Sequence, residues 1–100
     1  MWRMRTKIEN LVRKFKGLFG RYDIGYEYYI RLDEIKIKPE FLRTPPGNIK
    51  MMQKWNYYRR TGKLQSKIIL NRNFELVDGY TSYCIAEREC INRVPVWFVD

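Results

Sequence analysis

The sequence predicts an α+β domain, a small mixed β-sheet with packed helices, preceded by a basic amphipathic helix. Two observations carry this. Apolar residues recur at helical spacing from Met4 to Phe19 and again after Thr44-Pro45-Pro46-Gly47. Between and beyond those stretches lie short β-branched and aromatic runs that are closed by Asn, Asp and Gly.

With 100 residues, 45% hydrophobic and 16% aromatic, the chain fills one core and leaves no material for a second. The expected organisation is an N-terminal helix over residues 1–22 and one folded domain over residues 23–100. Met4, Ile8, Leu11, Val12, Phe15 and Phe19 fall on one helical stripe, with Gly17 and Gly20 marking its end. Docking of that stripe on the domain core is the expectation, with a membrane surface, a partner's groove or DNA as the alternatives. Lys7, Arg13, Lys14 and Lys16 interrupt it too often for a signal sequence or a membrane span, so the expected location is cytoplasmic.

From Tyr22 to Lys38, Tyr26, Tyr28, Tyr29, Ile30, Ile35 and Ile37 suit two short strands, with Leu32-Asp33-Glu34 as the bend. Thr44-Pro45-Pro46-Gly47 then announces a helix, because proline fixes a helical φ where an amide would be unpaired anyway. That helix should run to about Arg60, bury Met51, Trp55 and Tyr58, and end at Gly62. Lys67–Leu70 and Phe74–Val77 read as a hairpin around Asn71-Arg72-Asn73, whose asparagines tolerate positive φ. Asp78-Gly79 breaks the second strand and Tyr80–Cys90 reads as a helix. Val94–Val99 is the final strand, with Pro95 near its start or on a sheet edge.

The net charge of +9 favours an anionic partner, and the charge is unevenly placed. Residues 1–22 hold Arg3, Arg5, Lys7, Arg13, Lys14, Lys16 and Arg21 against Glu9 alone. Residues 50–72 hold Lys50, Lys54, Arg59, Arg60, Lys63, Lys67 and Arg72 with no acid. On the middle helix Lys50, Lys54, Tyr57 and Thr61 share one face with Gln53 and Arg60 at its edge, a pattern that fits either a phosphate-contacting surface or simply a solvated helix side. Histidine is absent, which excludes His-based triads and removes the commonest zinc ligand. Cys84 and Cys90 fall at different angles on one expected helix and are not expected to form a disulfide. No cofactor is expected other than a bound nucleotide.

The stretch Leu76-Val77-Asp78-Gly79-Tyr80-Thr81-Ser82 places glycine between a buried strand and a helix start, where free amides form an anion site. Thr81 and Ser82 either add hydroxyl donors to a phosphate or cap the helix. Asp78, repulsive to an anion, is expected to cap that helix as well.

This junction, followed by Tyr83 and then Val94-Pro95-Val96, resembles the ParB/sulfiredoxin superfamily, and in particular the small ParB N-terminal-like domains of bacterial and phage genomes. The resemblance runs from about Tyr28 to Asp100. It rests on the order of elements: the Ile35–Pro39 strand, the Lys50 helix, the Ile68–Leu70 strand and the glycine junction. In sulfiredoxins the junction glycine precedes a catalytic Cys, then His and Arg; here those positions read Tyr80, Thr81 and Ser82, which argues against that reductase chemistry. In partition ParB proteins a Gly-Glu-Arg-Arg type run contacts CTP phosphates, and its arginines are also missing, which argues against nucleotide hydrolysis. What the resemblance retains is Gly79, the helix start, and Lys50 at a position where the superfamily often places a phosphate-contacting base. A metal-dependent nuclease, known among relatives, would have Asp78 alone to rely on.

The function expected is therefore a non-catalytic, ParB-like module that binds DNA or a nucleotide phosphate. Lys50, Gly79, Thr81 and Ser82 are the candidate phosphate site. Lys54, Tyr57, Arg59, Arg60, Lys63 and Arg72 are the candidate nucleic-acid patch. The alternative is a protein-interaction or inhibitor module, of phage type, whose basic surface meets an acidic partner protein in a host nucleoprotein.

Overall fold

The computed structural model describes residues 22–100. The N-terminal helix expected over Met4–Phe19 lies outside the described residues. Within them, β1 (Tyr28–Arg31) leads through a 3₁₀ turn (Leu32–Glu34) to a short helix α1 (Pro39–Arg43) and the long helix α2 (Asn48–Thr61). The hairpin β2 (Ile68–Leu70) and β3 (Leu76–Asp78) follows, then α3 (Tyr80–Arg88) and β4 (Arg93–Phe98). This is the mixed α+β architecture that the sequence predicts.

The sheet order is β1-β4-β2-β3. β4 pairs antiparallel with β1 and parallel with β2, and β2 pairs antiparallel with β3. Alternation along the strands sends Tyr28, Ile30, Ile68, Leu70, Leu76, Val94, Val96 and Phe98 to one face. There they form the core with Tyr22, Ile35 and Ala86. Tyr22 stacks on Phe98 at 4.3 Å between ring centroids and meets Tyr28 edge-on at 4.9 Å. α3 covers this face through Ala86, with Tyr80 and Tyr83 packed against the same core, and α2 rests on α3.

Several elements differ from the sequence reading for identifiable reasons. The second strand expected before Pro39 shrinks to one bridge, in which Lys36 donates to the Phe74 carbonyl at 2.8 Å and accepts from the Leu76 amide at 2.9 Å. Pro39 then starts α1 at its first turn, a helix the sequence reading omitted. Pro95 lies in the central strand, not at an edge. Leu32 donates to the Asn92 carbonyl, and the antiparallel alternation counted from that bond gives Tyr29 and Pro95 a pair without hydrogen bonds. The missing donor of Pro95 thus faces the β2 side, where pairing begins only at Val96.

In the hairpin the positive φ falls on Phe74, at 63°, and not on either asparagine. Asn71 acts through its side chain instead, its Oδ1 accepting from the amides of Asn73 at 2.9 Å and Glu75 at 3.0 Å. α3 ends two residues before Cys90 because Cys90 takes a left-handed φ of 56°, with the Ile91 amide donating back to Ala86 at 2.9 Å. Gly62 does end α2, at φ 73° with its amide on the Tyr58 carbonyl at 2.7 Å.

Candidate functional site

The turn from β3 into α3 is set by Gly79 at φ 89°. A register shift between β2 and β3 leaves Val77 as the extra residue and places Asp78 across from Ile69. The first intrahelical bond of α3 runs from the Tyr83 amide to the Gly79 carbonyl at 3.0 Å. The amides of Tyr80, Thr81 and Ser82 therefore lie ahead of the ladder, and no side chain among the described residues caps them. Asp78 does not cap this turn as expected; its Oδ1 accepts from the Gly79 amide at 2.8 Å.

These groups open on a cleft of about 600 Å³ between the α3 start, the α2 start and the loop before β2. Lys50 and Lys54, one turn apart on α2, line it together with Gly79, Thr81, Ser66 and Asp78. Lys50 is exposed. Lys54 is half-buried and donates to the Ser66 hydroxyl. The apolar wall is Phe41, Pro46 and Tyr80, with the Phe41 and Tyr80 rings 5.3 Å apart and tilted by 50°. Asp78 is the one carboxylate lining the cleft. Lys67 also lines the cleft, and the arrangement suits an anion held by helix amides and lysine ammonium groups beside an apolar wall.

Of the residues singled out in the sequence, Lys50, Gly79 and Thr81 meet in this cleft and Lys54 joins them. Ser82 is buried and donates its hydroxyl to the Ser66 carbonyl at 2.7 Å, fastening α3 to the loop before β2. Tyr57, Arg59 and Arg60 line a separate groove with Gln53, Asn56 and Gln65. Arg59 is engaged within the fold: its guanidinium lies 4.9 Å over the Trp55 ring and 3.9 Å from Glu89, which accepts the Trp55 indole N–H at 2.6 Å. Lys63 belongs to a third groove, beside Tyr58 and Trp97. Arg72 sits beyond the C-terminal end of β2, where it pairs with Asp100 at 2.9 Å and donates to the Tyr22 carbonyl. The six residues do not form one continuous patch.

The sequence reading missed Phe41, Ser66 and Tyr80 in the cleft. The signal for Phe41 was present, since Pro39-Glu40 is itself a helix start. Cys84 is half-buried and outside the cleft lining, and burial pushes its thiol pKa up, the opposite of what a nucleophile needs. Cys84 and Cys90 are both free thiols. No helix among the described residues is long and apolar enough to cross a membrane.

No family model and no curated protein matches this chain. Solved structures do. The C2221 form of the pNOB8-like ParB N-domain matches with a TM-score of 0.64 and 24% identity, covering 75% of this chain and 30% of that one. The C-terminally truncated chromosome-partitioning protein ParB from Caulobacter crescentus, complexed with CTP-γ-S, matches with a TM-score of 0.60 and 16% identity, covering 76% of this chain and 45% of that one. A further structure of the pNOB8-like ParB N-domain gives 0.55 and 22% identity, covering 75% and 28% of the two chains. The fold is that of the ParB N-domains, as the resemblance in the sequence implies, and this chain spans less than half the length of each of these solved chains.

Proposed function

We propose that the cleft at the start of α3 binds the phosphates of a nucleotide and that the module acts by binding and not by catalysis. The observation that carries this is the meeting of the free α3 amides with Lys50 and Lys54 in one cleft walled by Phe41 and Tyr80. A ParB of the same fold is solved with CTP-γ-S, which supports a nucleoside triphosphate as the class of ligand. Without the arginines of the ParB-type run, phosphate binding here rests on the amides and on the lysines that line the cleft, Lys50 and Lys54 on α2 with Lys67 before β2.

Calorimetric titration with CTP, ATP and GTP tests the reading. One of the three should bind, and Lys50→Ala, which removes an exposed ammonium without disturbing the core, should weaken it about tenfold. Absence of heat with all three at about 1 mM would overturn it.

DNA is the second reading, favoured by the groove in which Arg60 and Tyr57 stand beside Gln53, Asn56 and Gln65. Its signature is a salt slope of about 0.9 per phosphate contacted.

A further inference from the structure

The face of the sheet opposite α3 has a different chemistry from the core face. It carries Tyr29 and Arg31 on β1, Arg93, Pro95 and Trp97 on β4, and Ile69 on β2, none of them buried. Tyr29 is 58% exposed. The strand register sets Tyr29 directly across from Pro95 and Ile69 across from Trp97, so two aromatic rings occupy neighbouring strands on one face. A groove of about 540 Å³ runs past Tyr29, Pro95 and Trp97 and is bounded by Tyr58 and Leu64 at the end of α2.

The charges around this groove are mostly positive. Lys63 and Arg93 line it against a single acid, Glu27. Lys67 reaches the same face, with its ammonium 4.9 Å from the centroid of the Trp97 ring. Lys63 and Lys67 both come from the stretch of residues 50–72 that contains no acid. A solvated sheet face is ordinarily polar, whereas this one offers ring faces flanked by cations.

We propose that this face binds single-stranded nucleic acid, with bases stacked on Tyr29 and Trp97 and phosphates held by Lys63, Lys67 and Arg93. A single strand exposes the faces of its bases and carries one charge per nucleotide, so it matches rings and cations together. A duplex hides its base faces in the stack and presents only edges in its grooves. An apolar peptide would use the rings and leave the cations without partners. In the free protein Lys67 covers the Trp97 ring; on binding, its ammonium exchanges that ring for a phosphate and a base takes its place. This surface adjoins the α3 cleft at Lys67 and Ile69, which line that cleft, whereas Tyr29, Lys63, Arg93 and Trp97 do not.

The test is fluorescence anisotropy of a labelled oligothymidine of about twelve nucleotides, titrated with the full chain and compared with a duplex of equal length. The single strand should bind about tenfold more tightly than the duplex. Tyr29→Ala should weaken it by about five- to a hundredfold, the range expected for one lost base stack, and Tyr29→Phe should restore it. Trp97→Leu is the second variant, and circular dichroism establishes that each variant is folded. Tyr29 lies outside the cleft, so Tyr29→Ala should leave CTP binding unchanged while weakening the single strand, and the result stands whether or not the cleft takes a nucleotide. Unaltered affinity in Tyr29→Ala or equal affinity for the duplex would each overturn the proposal. So would no binding at all, the outcome expected if a protein or residues 1–21 hold this face.

Discussion

Gly79 lies against the backbone of Lys67. A Cβ at Gly79 would stand 2.8 Å from the Ile68 Cα and nearer still to the Lys67 carbonyl oxygen, and the Gly79 φ of 89° is in the left-handed region. Glycine is therefore required twice at this position, by conformation and by space. Gly79→Ala should lower the unfolding free energy by about 3 kcal/mol, combining left-handed strain with overpacking against backbone that has no room to yield. Urea denaturation checks this, and a loss below about 1 kcal/mol would mean that the loop before β2 is free to retreat.

Thr81 and Ser82 are neighbours with separable roles. Ser82→Ala removes the donor to the Ser66 carbonyl and should cost about 1 kcal/mol of stability while leaving the Kd for a nucleotide unchanged. Thr81→Ala should do the reverse at the cleft, weakening nucleotide binding several-fold. The same two measurements on both variants, denaturation and titration, separate the fastening hydroxyl from the cleft-lining one.

Arg72 ties the hairpin turn to Tyr22 and Asp100. Arg72→Ala should lose about 1–2 kcal/mol, most of it from the charged bond to the Tyr22 carbonyl, because the pair with the exposed Asp100 is worth little. Affinity for DNA should not change. Arg60→Ala should show the opposite pattern, with stability kept and DNA binding reduced. A fall in DNA affinity for Arg72→Ala would return that residue to the basic surface.

The stability of the fold should decline in alkali. Burial is the leading cause that raises Tyr80 and Tyr83 above their ordinary 10.0 and Cys84 above its ordinary 9.0. The folded protein thus holds these protons more tightly than the unfolded chain does. The Cys84 contribution is complete below about pH 8 and that of the tyrosines below about pH 9, and each is lost as the pH rises through the elevated folded values. Urea midpoints at pH 7, 9 and 10.5 should fall slightly in the first interval and more steeply in the second. A flat profile would show that the three groups ionise without resistance from the fold.

What the sequence disclosed depended on how local the determinant was. Pro45-Pro46-Gly47 and Gly62 bound α2 by their own backbone preferences, and the strand-glycine-helix order around Gly79 is legible for the same reason. The cleft was legible in part, because Lys50, Gly79 and Thr81 each carry a local signal for phosphate. Pro95 near the start of its strand was legible, but that the strand is central was not, because its tolerance for proline depends on where β2 begins, a property of another segment. The contacts of Arg72 and Ser82 were not legible: their partners, Tyr22, Asp100 and Ser66, are fixed by tertiary folding and not by neighbours in sequence. Phe74 takes a positive φ that its residue type disfavours, with its ring packed 5.6 Å from Tyr22 and 5.5 Å from Phe98.

β4 is the strand that joins the sheet, since β1 and the β2–β3 hairpin have no pairing with each other except through it. While the chain is being synthesised, those pieces wait with apolar surface uncovered until Arg93–Phe98 has cleared the ribosome. The sheet thus closes only once β4 has emerged, and a chain halted before Val94 would be exposed to aggregation and proteolysis rather than partly native.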